Sequence, residues 1–260
     1  MPYYPRKKSY RRKAAPKRKR VYPKKKTSFA KRVQAIMHKQ IENKITNDYG
    51  ANQVLSLAGS TTNPYFLNCC PRPIQGTTQG TRIGNEINVV KATVHGRVNL
   101  LPYLSVYNPI TCPVSVKMWL CRRRSTNVNE AGTPGTTDFQ RFFQLGSGYT
   151  GFQSNTLDLV FSPNKDVWTV YAQKSITLSN ATLQSTSATI TQTNTGCSVP
   201  FSFSFAKHLG KLKYNDSDTH VTNKELFLVF QTIPLDGTTY TTATNLAEIH
   251  YEIQWTYEDA

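Results

Sequence analysis

The chain has 260 residues, 38% of them hydrophobic and 11% aromatic, which is enough to bury a core without disulfide or metal support. Its formal net charge is +17, and residues 1–44 hold 17 of the 32 Lys and Arg residues against one acid, Glu42, so the rest of the chain is nearly neutral. The sequence has no run of about 18 apolar residues and no apolar segment behind its basic N-terminus, which argues against a membrane span and a secretory signal.

Residues 1–26 form the first segment, with 13 Lys and Arg residues, four prolines and no acid. Such a segment cannot bury enough apolar surface to offset its ordering entropy, and its charges repel one another. We therefore predict a disordered basic arm over residues 1–26 when the protein is free.

Residues 27–48 follow the period of an α-helix. Thr27 or Ser28 can cap its N-terminus, and Gly50 is a natural stop. The segment is predicted as an amphipathic helix or linker that either packs under the main domain or orders only in an assembly with the polyanion. Apolar residues recur at spacings of three and four, at Phe29, Val33, Ile36, Met37, Ile41 and Ile45.

From about residue 81 the apolar period changes to two, which is typical of strands with one buried face. Residues 226–230 are instead continuously apolar, which predicts a strand buried on both faces. The predicted strands cover residues 88–100, 112–120, 139–145 or 157–161, 167–178, 185–192, 199–205, 225–233 and 247–257.

About eight strands, joined by long polar loops and with no second helix-period segment, predict an all-β domain over residues 49–260. The leading fold is a single eight-stranded jelly roll of two packed antiparallel sheets. A Greek-key barrel is the alternative.

The cysteines and histidines give little sign of a chemical site. Five cysteines, with a vicinal pair at Cys69 and Cys70, do not match a disulfide framework, and we predict reduced thiols in a reducing compartment. The five histidines form neither HExxH nor a zinc-binding spacing, and no nucleotide-binding or nucleophile motif occurs. We expect no cofactor, no metal site and no enzymatic activity.

The basic arm carries the candidate binding site. Cations on a flexible arm neutralise phosphates and release counterions, which predicts sequence-tolerant, salt-sensitive nucleic-acid binding. Interleaved tyrosines can stack on unpaired bases, which favours single strands. The predicted contacts are Arg6, Lys7, Lys8, Arg11, Arg12, Lys13, Lys17, Arg18, Lys19, Arg20, Lys24, Lys25, Lys26, Lys31, Arg32, Tyr10 and Tyr22. The densest block also matches a nuclear localisation signal, formed by Lys17, Arg18, Lys19, Arg20, Lys24, Lys25 and Lys26.

Two further groups of charged residues are open to two interpretations. Arg122, Arg123 and Arg124 follow a predicted strand and form either a solvated strand end or a basic patch at an inner wall or subunit contact. Asp216 and Asp218 are either plain loop residues or part of a cation site between subunits.

Residues 75–90, QGTTQGTRIGNEINVV, are a Gly- and Thr-rich loop that runs through Arg-Ile-Gly-Asn into the first long strand. With the basic arm and the closing strand AEIHYEIQWTYED, this passage resembles capsid proteins of small circular replication-initiator-encoding single-stranded DNA viruses, the circovirus-like group. It resembles the shells of some small RNA viruses as well. The arm here is richer in lysine than that of circoviruses proper. The resemblance implies a jelly roll whose copies form a small icosahedral shell with inward arms, and nuclear import through an import receptor.

Two functions therefore compete. The first is a structural capsid protein, located in the virion and in the host nucleus during assembly, of which about 60 copies or a small multiple close a shell. It packages a single-stranded genome, with DNA favoured over RNA. The alternative is a non-viral monomeric or dimeric nucleic-acid-binding β-barrel protein with a basic tail.

Overall fold

The computed structural model describes residues 43–57, 63–101, 112–124, 134–179, 198–216, 218–237 and 245–259. These residues are mainly β-strands, and the helices among them are single turns. The strands are β1 Lys44–Ser56, β2 Tyr65–Asn68, β3 Glu86–Leu100, β4 Val114–Arg123, β5 Phe143–Leu145, β6 Gly148–Thr150, β7 Trp168–Leu178, β8 Ser198–Ser204, β9 Lys211–Lys213, β10 Phe227–Pro234 and β11 Asn245–Asp259. The helices are α1 Thr136–Phe139, α2 Leu157–Val160 and α3 Ala206–Leu209.

Nine of these strands form two sheets, and eight of them make up the two main strand orders. Sheet A has the order β1-β11-β3-β8, with β9 also paired to β3, and sheet B has the order β2-β10-β4-β7. Every pairing in both sheets is antiparallel. The short strands β5 and β6 form a separate hairpin.

The strand order follows from folding the chain back on itself once. This pairs β1 with β11, β2 with β10, β3 with β8 and β4 with β7. Rolling that long ribbon then places β3 against β11 and β4 against β10, which closes the two four-stranded sheets. The result is the predicted all-β, eight-stranded jelly roll rather than the alternative Greek-key barrel.

The alternating residues of β3 and β11 supply one wall of the main core. Val94 lies opposite Ile253, and Val98 lies opposite Ile249, with all four side chains buried. Gly96 is required at the centre of β3 because a Cβ there would lie 2.5 Å from both the backbone oxygen of His250 and the Phe201 ring. The pattern that predicted these strands therefore also predicts which face is buried.

Sheet B is buried on both faces. All eight residues of β10 and the first eight residues of β4 are buried. One face packs on sheet A, and the other is covered by residues 134–167, which connect β4 to β7 and which we call the insert. A second core lies under the insert, formed by Trp119, Cys121, Phe139, Phe142, Phe143, Phe152, Trp168, Phe227 and Val229. The continuous apolar run of the predicted strand 225–233 reflects this double burial.

The insert also encloses a polar network. The Asp158 carboxylate accepts hydrogen bonds from the backbone nitrogens of Gln153 and Ser154 and from the Gln231 side chain. The Lys117 ammonium donates to the backbone oxygen of Leu159 at 2.8 Å. Burial, the largest cause, raises the pKa of Asp158 to about 6, and burial also lowers the pKa of Lys117.

The structure corrects the predicted elements at several places. Residues 44–48 are the start of β1 rather than the end of a helix, because they pair with β11. Neither β1 nor β2 is among the predicted strands. Of the alternatives at 139–145 and 157–161, the first contains β5 and the second is the helix α2. The predicted strand 185–192, the predicted arm and residues 27–42 lie outside the described residues.

Asp158 makes stability depend on pH. Because its folded-state pKa is raised from 3.8 to about 6, the folded protein keeps a proton that the unfolded chain releases between those values. Stability should therefore fall as pH rises through this window, by about 3 kcal/mol at about 1.4 kcal/mol per pH unit. We expect Asp158→Asn to remove this contribution, measured as the difference in urea unfolding free energy between the variant and the parent protein at pH 4 and pH 7.

The matched control is Asp166→Asn, because Asp166 is an exposed aspartate in the same insert. Its difference from the parent protein should be the same at both pH values. If the unfolding free energy of Asp158→Asn changed with pH in the same way as that of the parent protein, the raised pKa of Asp158 would be contradicted.

Candidate nucleic-acid interface

The predicted nucleic-acid contacts between residues 6 and 32, and the predicted nuclear localisation signal within residues 17–26, lie outside the described residues. They stay predictions. The structure does show how the folded body begins after that segment and which cations the body itself exposes.

One end of the sandwich carries Lys44, Glu86, Arg122, Phe227 and Asp259, and we call it the entry end because the chain enters the fold there. Lys44 is buried at this end, where its ammonium donates to the backbone oxygen of Thr81 at 2.8 Å and pairs with Asp259 at 2.6 Å. The first residue of β1 thus contacts both a loop and the last strand, and its positive charge is balanced by the Asp259 carboxylate.

Arg82 forms a second set of stabilising contacts at the entry end. Its guanidinium is fully buried, donates to the backbone oxygens of Gly84, Asn215 and Asp218 at 2.6 to 2.9 Å, and lies 4.9 Å from the centre of the Tyr214 ring. A fourth bond reaches the Asn85 side chain at 2.9 Å. Arg82 therefore holds two loops together, and both of its terminal nitrogens are committed to protein oxygens.

Asp216 and Asp218 support the same loops. Asp216 accepts a hydrogen bond from the Asn85 side chain, and the Asp218 carboxylate accepts one from the backbone nitrogen of His220 at 2.9 Å. Over the described ranges, no three His, Cys, Asp or Glu side chains converge in a way that could hold a metal ion. The contacts therefore favour the interpretation of these aspartates as loop residues.

The three consecutive arginines at the end of β4, of which only Arg124 lies beyond the strand, have three different environments. Arg123 pairs with Asp138 at 2.7 Å, and Arg124 donates to the backbone oxygen of Lys165 at 2.7 Å. Arg122 donates to the backbone oxygen of His208 at 3.0 Å, and its guanidinium lies 5.6 Å from the centre of the Tyr171 ring. The three arginines therefore do not share one role, either as a solvated strand end or as a basic patch. Of the three, Arg122 is the one that belongs to a group of neighbouring cations.

We call Arg122, Tyr171, Lys207, His208 and Lys224 the cationic cluster. Burial lowers the pKa of His208, and the charges of Lys207 and Arg122 lower it further. Burial followed by the charge of Arg122 lowers the pKa of Lys224. The contacts of Arg122 with His208 and Tyr171, and the stacking of those two rings, bring three of the five residues together.

The cationic cluster also has aromatic surface and an adjacent cleft. The rings of Tyr171 and His208 are stacked with their centres 4.1 Å apart, and both residues are partly exposed. A cleft of about 530 Å³ lies beside Lys207 and is lined by Val89, Val90, Ser204 and Ala206. No sequence motif marks this arrangement, since its parts come from β4, β7, α3 and the segment before β10.

The outward face of sheet A has a balanced charge. Glu252 lies opposite His95, and Glu248 lies opposite Asn99, whose amide donates to it at 3.2 Å. His250 Nε2 lies 3.2 Å from Glu248 Oε1. Acidic side chains on this face therefore lie next to histidine or amide side chains, whereas the cationic cluster contains no acidic residue.

The cysteines of the described residues are all free thiols. Cys69, Cys70 and Cys121 are buried, and burial raises the pKa of the Cys70 thiol to about 12. These thiols pack as small apolar groups in the core. Cys197 lies outside the described residues.

No family model and no curated protein matches the sequence. Among solved structures, the chain is similar to one from desmodium yellow mottle tymovirus, with 10% identity over 97% of this chain and 96% of that chain and a TM-score of 0.30. It is also similar to one from a cryo-EM structure of mud crab tombus-like virus, with 11% identity over 97% and 93% of the two chains and a TM-score of 0.28. No helix within the described ranges is both long and apolar enough to cross a membrane. The function must therefore be argued from the residues of this chain.

Arg82 should be essential to stability. Arg82→Met would leave three backbone oxygens and the Asn85 side chain without their donor in a buried site, and we expect a loss of more than about 3 kcal/mol. Urea unfolding followed by tryptophan fluorescence measures this loss. The control is Arg97→Met on the exposed face of β3, where the hydrogen bond to Ser198 should contribute less than about 1 kcal/mol. Equal losses in the two variants would contradict the role of Arg82.

Proposed function

We propose that this chain is a structural capsid protein whose jelly-roll body forms the shell and whose basic N-terminal arm packages a single-stranded genome. The observation that carries the proposal is the separation of charge between the two parts. Residues 1–44 have a net charge of +16, from 17 basic residues and one acid, whereas residues 45–260 have a net charge of +1, from 15 basic and 14 acidic residues.

Ion pairs in the body support this division. Lys44 pairs with Asp259, Arg123 pairs with Asp138, and Lys211 and Lys213 both pair with Glu86. Three carboxylates thus offset most of the charge of these four cations, which leaves the body close to neutral. Strong nucleic-acid binding must therefore come mainly from the segment before β1.

Exposed apolar side chains support self-association. One group lies on β1 and the neighbouring loop, where Tyr49 is 77% exposed. The other lies on the insert, where Val160 is 78% exposed. Exposed apolar side chains on two different parts of one subunit suit head-to-tail contacts, which close into rings when the rotation allows. The first group is Ile45, Tyr49, Val54, Ile74 and Ile83, and the second is Leu145, Tyr149, Leu157 and Val160.

The charge of the arm suits a small genome. If about 60 copies close a shell, their arms supply roughly a thousand positive charges, and each nucleotide carries one phosphate. A genome of one to a few thousand nucleotides, with small ions balancing the remainder, matches that number. The resemblance of residues 75–90 and of the arm to circovirus-like capsid proteins favours single-stranded DNA as the cargo. It also favours nuclear import through the block at residues 17–26, and hence a location in the virion and in the host nucleus.

Neutralising the arm should separate assembly from packaging. We expect the full-length protein with its seven densest cations changed to Gln to form particles that protect at least ten-fold less nucleic acid from nuclease. Sedimentation and electron microscopy report the particles, and the nuclease-resistant fraction reports the cargo. The changed residues are Lys17, Arg18, Lys19, Arg20, Lys24, Lys25 and Lys26.

The control carries Gln at Lys91 and Lys165, which are exposed cations on the body, and should retain its cargo. Full loading of the arm variant would exclude the packaging role of this block. A parent protein that stays monomeric or dimeric over a range of salt and pH would instead support the alternative, a soluble nucleic-acid-binding protein with a basic tail.

A further inference from the structure

We infer that the cationic cluster is a second nucleic-acid site, on the folded body, which takes a phosphodiester group at Arg122, Lys207 and Lys224 and an unpaired base at Tyr171 and His208. The identity of the ligand rests on the proposed function, because the arm brings single-stranded nucleic acid to the body. The site itself rests on the contacts of the described residues.

The first argument is that the cations of the cluster have no carboxylate partners. Within the ranges that the structure describes, no carboxylate forms an ion pair with Arg122, Lys207 or Lys224, whereas Lys44, Arg123, Lys211 and Lys213 all have carboxylate partners. The lowered pKa of His208 and of Lys224 reflects burial first and neighbouring cations second. An anion placed among these groups would relieve the repulsion between them.

The second argument is a guanidinium that is held in place. One terminal nitrogen of Arg122 donates to the backbone oxygen of His208 at 3.0 Å. A guanidinium held between that oxygen and the Tyr171 ring is already fixed in place, so it loses little freedom when it binds. A phosphate oxygen is the acceptor that such a donor suits best.

The third argument is space for the ligand. Gly210 follows α3 with a φ of +54°, and Lys224 Nζ lies 3.8 Å from the position that a Cβ would take there. The absence of a side chain leaves the ammonium open on that side. A cleft of about 530 Å³ lies beside Lys207, which precedes His208 on α3.

The fourth argument is the aromatic pair. Tyr171 and His208 are stacked and partly exposed, so an unpaired base can extend their stack. Bases in a duplex are already stacked and paired, which favours a single strand at this site. A cation next to an aromatic platform is the combination that single-strand-binding proteins use without sequence preference.

The position of the cluster suits a nucleic-acid strand that is already bound to the arm. Lys44 and the cluster lie at the same end of the sandwich, at the ends of β1 and β8 respectively. Three strand spacings separate these two strands in sheet A, or about 14 Å at about 4.8 Å per spacing. A strand of a few nucleotides can therefore contact residues near Lys44 and the cluster together.

Photocrosslinking of the full-length protein tests the inference. The probe is a thymidine oligonucleotide of about 20 residues that carries 5-iododeoxyuridine, and mass spectrometry locates the crosslinked peptides. We expect crosslinks at Tyr171 or His208 as well as at Tyr10 and Tyr22 of the arm. Lys207→Gln and Lys224→Gln together should lower the crosslinks at Tyr171 and His208 at least five-fold and leave those of the arm unchanged. Arg122→Gln is the stronger variant, but it also removes the bond to His208.

Lys91→Gln is the matched control, because Lys91 is an exposed lysine on the outward face of sheet A. It should change neither set of crosslinks. Crosslinks confined to the arm, or crosslinks at Tyr171 that survive the paired change, would overturn the inference and leave the proposed function standing. Absence of crosslinks anywhere in the chain would overturn both, whereas crosslinks at Tyr171 without any at the arm would remove the arm's role alone.

Discussion

The structure depends on burying β4 and β10 on both faces. These two strands lie at the centre of sheet B, and their side chains contribute to two cores, one against sheet A and one under the insert. In a two-layer sandwich, the outward face of each sheet is exposed and polar. Here the insert closes one of those faces, so the aromatic rings of Trp119 and Phe227 are buried on the side that would otherwise meet solvent.

Covering that face also encloses polar groups, which must then be satisfied inside the protein. Lys117 and Asp158 meet this requirement through carbonyl, backbone-amide and side-chain partners, and the Gln231 amide nitrogen donates to Asp158. The outward face of sheet A stays accessible instead and carries paired charges such as Glu252 opposite His95. The body is therefore left with ends, edges and the insert surface for contacts with other molecules.

Strong periodicity made much of the fold predictable. The strands β3, β10 and β11 were identified because their apolar residues either alternate or run without interruption. The strand β1 was missed because it is an edge strand with mostly exposed residues. Ile45, which fitted the stripe of a helix, is 57% exposed, while its neighbour Lys44 is buried. A short strand such as β2, with four residues, has too few positions to show a period.

The site was less predictable because its contacts join distant parts of the chain. Arg82 was noticed within a local motif, but its partners Asn215 and Asp218 are 133 and 136 positions away. The triplet at residues 122–124 looked uniform, and only the structure shows that each arginine has a different partner. Sequence spacing reports local geometry, whereas charge compensation is decided by tertiary contacts.

Charge compensation in turn explains why the basic arm and the folded body would interact differently with a polyanion. Cations that hold the fold together, such as Lys44 and Arg82, already have partners, and a polyanion could recruit them only by breaking those contacts. The cationic cluster differs in combining cations that lack carboxylate partners among the described residues with a stacked aromatic pair, near the end where the chain enters the body. A dense arm can hold many phosphates without a fixed geometry, because counterion release depends on charge rather than on shape. A guanidinium held as Arg122 is would instead position one phosphate, and this geometric constraint is what a folded site could add to a flexible one.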